Sequence, residues 1–183
     1  MSSPRRADAR RNLEALLEAA KIVLAESGVD APAKEITDRA GVGVGTLYRH
    51  FPQRSDLVIA VLEHEIDACA AAGAQLSAAE PPAAALASWV RRYTELVATK
   101  AGLASALQAG DAAHHHLRVY FYERMAPVLE SLIETAARAG EIRPDVRAVD
   151  ILHAVALLCQ PVPGEEPGYG RRLVDVFLSG LRP

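Results

Sequence analysis

Only two of the 183 residues are cysteine, and they stand far apart at Cys69 and Cys159. Neither has a second cysteine at redox-motif or metal-ligand spacing. A disulfide framework is therefore not expected, and two reduced, buried thiols of a cytoplasmic protein are. Aromatic residues are scarce as well: one Trp, five Tyr and three Phe make up 5% of a chain that is 50% apolar. Alanine and leucine must carry that apolar fraction, and both favour helix. Nowhere do β-branched residues alternate with polar ones as in a strand, so the fold class expected is all-α. No uncharged apolar run reaches the ~18 residues of a membrane span. The opening "SSPRRADARR" is basic but is not followed by the apolar run of a secretory signal, which again points to the cytoplasm.

Enzymatic motifs are missing too. There is no nucleophile elbow, phosphate loop, Cys–His metal spacing or glycine-rich dinucleotide turn, so no catalytic residue, cofactor or metal is assigned. Cys159 and His153 share an apolar helical stretch, a poor setting for a reactive thiolate.

The net charge of −3 is divided unevenly. Residues 1–54 carry nine Lys/Arg against seven Asp/Glu, and residues 55–183 carry eleven against sixteen. Arg5, Arg6, Arg10 and Arg11 cluster at the front. The pattern suggests a small polyanion-binding head (1–54) on an acidic body (55–183).

Prolines and glycines mark out about nine helices. The first spans about Ala7–Ser27, with Leu13, Leu16, Leu17, Ala20 and Leu24 on one face and Gly28 as its stop. Two short ones follow at Ala33–Ala40 and Val44–His50. A long fourth, capped by Ser55 or a near neighbour, reaches about Leu76. The fifth runs from Pro81–Pro82 to about Lys100, and a short sixth covers Leu103–Ala109. The seventh has the clearest periodicity, from Leu117 to Ala136, with Pro127 expected to kink it. The last two are about Arg147–Cys159 and Arg171–Leu181, joined by the loop "QPVPGEEPGYG".

The second and third helices, with a glycine in a turn of about three residues between them, have helix-turn-helix spacing. Gly41 suits the left-handed turn, Val42 plugs the angle between the helices, and Gly43 stands at the cap position. Leu47 and Phe51 would face the core. Thr46, Arg49 and His50 fall away from them, and Tyr48 projects from the side. A two-turn helix showing hydroxyl, phenol, guanidinium and imidazole outward suits the major groove of double-stranded DNA. Gly45, bare within so short a helix, would let the backbone come close to another surface.

"ITDRAGVGVGTLYRHFPQRSDL" resembles the helix-turn-helix of the TetR family of bacterial transcriptional regulators, closely over residues 10–60. The resemblance implies a three-helix DNA-binding head, a larger helical body with a small-molecule cavity, and a homodimer on a palindromic operator at the nucleoid. Repression relieved by ligand is the family's usual mode. Matched by position, Lys34, Thr46, Tyr48 and His50 are implied DNA contacts, and Arg54 an implied phosphate contact. Arg49 takes a variable position and is the candidate base reader, while Val44 and Gly45 come close to the bases. Two departures stand out: Gly43 replaces a small hydroxyl or alanine, and "DAPAKE" lacks the threonines that commonly open the second helix.

In the body, Ile151, Leu152, Val155 and Leu158 form one stripe, and Leu173, Val176, Phe177 and Leu181 another. These are the expected dimer face. Trp89, Tyr93, Tyr120 and Tyr122, among many alanines, are candidate lining for a bulky apolar effector, or ordinary core. His114, His115 and His116 point about 100° apart on a helix and cannot all face one ion. A metal- or pH-responsive regulator, and a DNA-bound adaptor answering to a protein, remain the alternatives to a small-molecule sensor.

Overall fold

The structure, a computed structural model, describes residues 4–103, 111–166 and 168–183. Eight α-helices occur among them: α1 Pro4–Ser27, α2 Ala33–Ala40, α3 Val44–His50, α4 Arg54–Ala79, α5 Pro82–Leu103, α6 Asp111–Arg138, α7 Ala148–Leu158 and α8 Tyr169–Ser179. No strand appears among the described residues, and none of their helices is long and apolar enough to cross a membrane. Of the short helix expected over Leu103–Ala109, Leu103 ends α5 and the rest lies outside the described residues.

The helix ends follow the punctuation. Gly41 takes φ 69°, and the N–H groups of Gly41 and Val42 return to the carbonyls of Asp38 and Thr37 at 3.3 and 3.0 Å, closing α2. Gly28 stops α1 at φ 82°. The expected cap Ser55 is displaced. α4 begins one residue earlier, and Asp56 Oδ2 accepts the Gln53 N–H at 3.0 Å. α6 continues through Pro127, which lies exposed on its surface.

The chain forms two compact units, residues 1–64 with 99–118, and residues 65–98 with 119–183. Their limits differ from a division at residue 54, because the first turns of α4 belong with the head. In the first unit, Leu16, Ala20, Val23 and Leu24 of α1, Ile36 of α2, Leu47 of α3 with Phe51 just beyond it, and Leu57, Val58 and Val61 of α4 are all buried. At the ~25 cal/mol per Å² that apolar burial contributes, such a cluster is the main stabilising term of a small head.

The second unit is built around Trp89, which is fully buried. Its Nε1–H donates to the Cys69 carbonyl at 2.9 Å, and the Tyr93 hydroxyl donates to the Leu152 carbonyl at 3.0 Å. Buried polar tips are thus paired with backbone acceptors, as a dry core requires. Burial pushes the Cys69 thiol up to about 12, so it stays protonated and inert. Gly73 of α4 lies against side chains of both α5 and α6. A Cβ there would fall inside the van der Waals envelope of Val128 Cγ1, with the Trp89 ring only 3.6 Å away.

Alanine in place of a helical glycine ordinarily stabilises by up to ~1 kcal/mol. At Gly73 the clash outweighs that gain. Gly73→Ala should destabilise the protein by ~1–3 kcal/mol in denaturant unfolding, and Val128→Ala in the same chain should restore most of the loss. An unchanged or raised midpoint for the single variant would contradict this packing.

Candidate nucleic-acid interface

α3 has only seven residues, too few to be stable alone, and it is held by what it buries. Leu47 and Phe51, four positions apart, are 3% and 8% exposed. Their burial fixes the rotation of the helix and so decides what faces out. Tyr48 is 55% and Val44 37% exposed; Gly45, Arg49 and His50 are exposed, and Thr46 is half-buried. The surface expected from sequence is therefore assembled on one short helix. The His50 ring leans on Phe51 with centroids 6.1 Å apart, which anchors the last turn.

Neither α2 nor α3 has a side-chain cap. Pro32 and Gly43 occupy the cap positions, and the Thr46 N–H reaches back to the Gly43 carbonyl at 2.8 Å. A Cβ built on Gly45 meets nothing within 4 Å. The free protein has no packing reason to prefer glycine there.

Lys34 is exposed on α2 and pairs with Asp38 one turn on, Nζ to Oδ2 at 2.6 Å. A pair so exposed is worth little, so Lys34 gives up little in turning to a phosphate. Arg10 pairs with Glu14 at 3.4 Å, and Arg11 pairs with Asp8. These arginines lie on α1, not on a free arm, and the side chains of Arg5 and Arg6 lie outside the described residues.

Arg54, the implied phosphate contact, is half-buried. Its side chain turns into the head, where Nε–H donates to the Val29 carbonyl at 2.7 Å and Nη2 is shut off from solvent.

The candidate pocket residues are also engaged. Trp89 and Tyr93 are buried, with their polar tips bonded to backbone carbonyls. The half-buried Tyr120 hydroxyl donates to Asp67 Oδ2 at 2.8 Å, beside Arg124, and Tyr122 meets His153 Nε2 at 2.7 Å. An open groove of about 390 Å³ lies between α4 and α5, lined by Ala72, Leu76, Ser88, Arg91, Arg92 and Glu95 among others. None of the four expected aromatics lines it. His115 lies beside Arg118 while His116 bonds Glu63 at 2.8 Å, so these two imidazoles turn to different partners. The side chain of His114 lies outside the described residues.

The expected dimer face needs a larger correction. Ile151, Leu152, Val155 and Leu181 are at most 4% exposed within the single chain, so they have no surface to offer a second copy. Leu158, Leu173 and Phe177 are half-buried, and Val176 is 68% exposed. The opposite face of α7 carries Val149 and Leu157, 38% and 72% exposed. Both stripes of α7 are apolar, and periodicity alone does not say which one the chain covers itself.

Comparison with known proteins bears on the same residues. The family model for bacterial regulatory proteins of the tetR family matches residues 16–61, and that for the C-terminal domain of SbtR-like transcriptional regulators matches residues 81–183. A TetR transcriptional regulator from Streptomyces coelicolor is 36% identical, over 93% of this chain and 98% of its own, with a TM-score of 0.77. A TetR transcription regulatory protein from Mycobacterium vanbaalenii is 35% identical, over 98% of this chain and 100% of its own, with a TM-score of 0.76. HTH-type transcriptional regulators of Staphylococcus aureus are 38% identical over 63 residues, 34% of this chain. That match spans about a third of the length of those curated relatives, at 34%.

The open space at Gly45 makes a two-sided prediction. Gly45→Ala should stabilise the head by up to ~1 kcal/mol in thermal unfolding. It should also lower affinity for the specific duplex about tenfold, because a methyl group holds the backbone off the DNA. Unchanged binding in a gel-retardation assay would remove Gly45 from the interface.

Proposed function

The chain belongs to the TetR family of bacterial transcriptional regulators, and on that premise we propose that it is a homodimeric repressor that leaves a palindromic operator when a small hydrophobic ligand binds. Division of labour follows the sequence: residues 1–54 bind DNA, and residues 55–183 sense and dimerise. The observation that carries the reading is the orientation of α3, with Leu47 and Phe51 inward and Tyr48, Arg49 and His50 outward.

In this reading Arg49 forks onto a guanine edge, which adds roughly 1–3 kcal/mol of discrimination. Thr46, Tyr48 and His50 hold backbone and bases, Val44 touches a thymine methyl, and Lys34 holds a phosphate. The phosphate contacts position the head and make binding steeply salt-dependent, whereas the base contacts carry the preference.

One two-turn helix reads too few bases, so two heads act together about 34–36 Å apart. The exposed apolar side chains Val149, Leu157 and Val176 support a second copy as the partner that covers α7 and α8. The half-buried Leu158, Leu173 and Phe177 would border that contact.

Release requires only differential affinity. A ligand that favours the splayed-head state by about 5.5 kcal/mol carries a 1:99 equilibrium to 99:1. α4 carries residues of both compact units and is the natural lever. The hydrophobic character of the effector rests on the alanine-rich helices α4 and α5, whose short side chains leave room for a guest.

Three outcomes are expected. Arg49→Ala should lower the preference for a selected duplex over random DNA more than it lowers overall binding; equal loss on both would contradict base reading. Leu157→Glu with Val176→Glu should give monomers in sedimentation that keep their helix content and lose cooperative operator binding. A dimer that persists would exclude this face. In a thermal-shift screen of hydrophobic compounds, a true effector should raise the melting temperature by mass action and release the DNA; a compound that does the first without the second is not the inducer.

A further inference from the structure

Arg54 opens α4, three residues beyond Phe51, and its side chain reaches back across the head. Its Nε–H donates to the carbonyl of Val29 at 2.7 Å, 25 positions earlier in the chain. Nη2 of the same group is buried, with no acceptor among the described residues. Val29 sits in the tight turn that Gly28 opens at φ 82° and the Ala31 N–H closes onto the Gly28 carbonyl at 3.2 Å. That turn leads through Pro32 directly into α2.

One guanidinium therefore ties the entry to α2 to the exit from α3. Between those two points lies the whole helix-turn-helix, which is also held by the Gly41 turn, its buried side chains, and the Ser27–Glu35 and Arg39–Glu26 contacts between α1 and α2. A charged donor on a partly buried carbonyl is among the stronger hydrogen bonds available to a small domain. Burying one end of a guanidinium without a partner is costly, which argues that the contact offsets that cost by ordering something else.

We propose that Arg54 is a positioning residue, which latches the α1–α2 turn to the α3–α4 turn and so sets the angle at which α3 meets DNA. The proposal rests on the DNA-binding reading above and deepens it. Charge alone does not do this work. Lysine keeps the charge, but its ammonium is a compact point on a flexible stem and lacks the planar fork that lets Nε face one way while the rest packs another.

The experiment compares wild type, Arg54→Lys and Arg54→Gln as full-length protein. The probes are a duplex that wild type selects from a randomised pool and a random-sequence duplex, each titrated across ionic strength. All measurements are made at a temperature where circular dichroism gives each variant the helix content of wild type. Hydrogen exchange of residues 28–32 and 44–51 is followed in the absence of DNA. For a latch, Arg54→Lys loses about tenfold or more of its preference for the selected duplex while its binding to random DNA and its salt slope match wild type. Its exchange quickens in both segments, while α1 is unchanged. If Arg54→Lys matches wild type on both duplexes with unaltered exchange, the latch is overturned. A salt slope lowered by about one on both duplexes in Arg54→Gln, with exchange unaltered, would overturn it equally and leave phosphate binding as the role of Arg54. Should wild type select no duplex at all, the DNA-binding reading fails, and the exchange comparison still decides whether Arg54 holds the two turns together.

Discussion

What α3 presents to DNA depends on the burial of Leu47 and Phe51. Helix α3 is too short to persist on its own hydrogen bonds, so its existence and its rotation come from two side chains in the core of the head. Rotate the helix by one residue and Tyr48 would turn inward while an apolar side chain faced water. The hydrophobic anchor therefore does more than stabilise: it decides which chemical groups form the outer surface. Gly41 makes the anchor possible by turning the chain at φ 69° within a few residues of α2.

A second constraint acts at the opposite end of the same segment. The turn after α3 leads at once into α4, whose first residue is drawn back to Val29. The head is thus closed by one apolar clamp and one polar one. The apolar clamp sets rotation, and the polar one bears on tilt. α4 then runs on into the second compact unit, where Cys69 accepts from Trp89 and Gly73 admits Val128.

Much of this was legible in the sequence, and the parts that were not share a cause. The bounds of α2 and α3, the inward pair Leu47 and Phe51 and the outward Tyr48, Arg49 and His50 follow from local spacing and turn chemistry. Arg54 was legible as a basic residue at a family position, but its direction depends on a carbonyl 25 residues away, which no local pattern encodes. The same holds for Trp89 and Tyr93. Helical spacing put them on an inner face, but the carbonyls of Cys69 and Leu152 that satisfy their polar tips stand 20 and 59 positions away. In α7 the failure was one of sign. The helix has two apolar stripes, and the chain covers Ile151, Leu152 and Val155 itself, leaving Leu157 outside.

The most direct test of the central claim is a hydroxyl-radical footprint, with guanine-N7 methylation interference, on a duplex selected by the wild-type protein. Two heads acting as a pair should give two protected patches related by a dyad and spaced about one helical turn, 10–10.5 base pairs, with interference at a guanine in each half-site. A single unpaired patch, or protection without any major-groove interference, would contradict it.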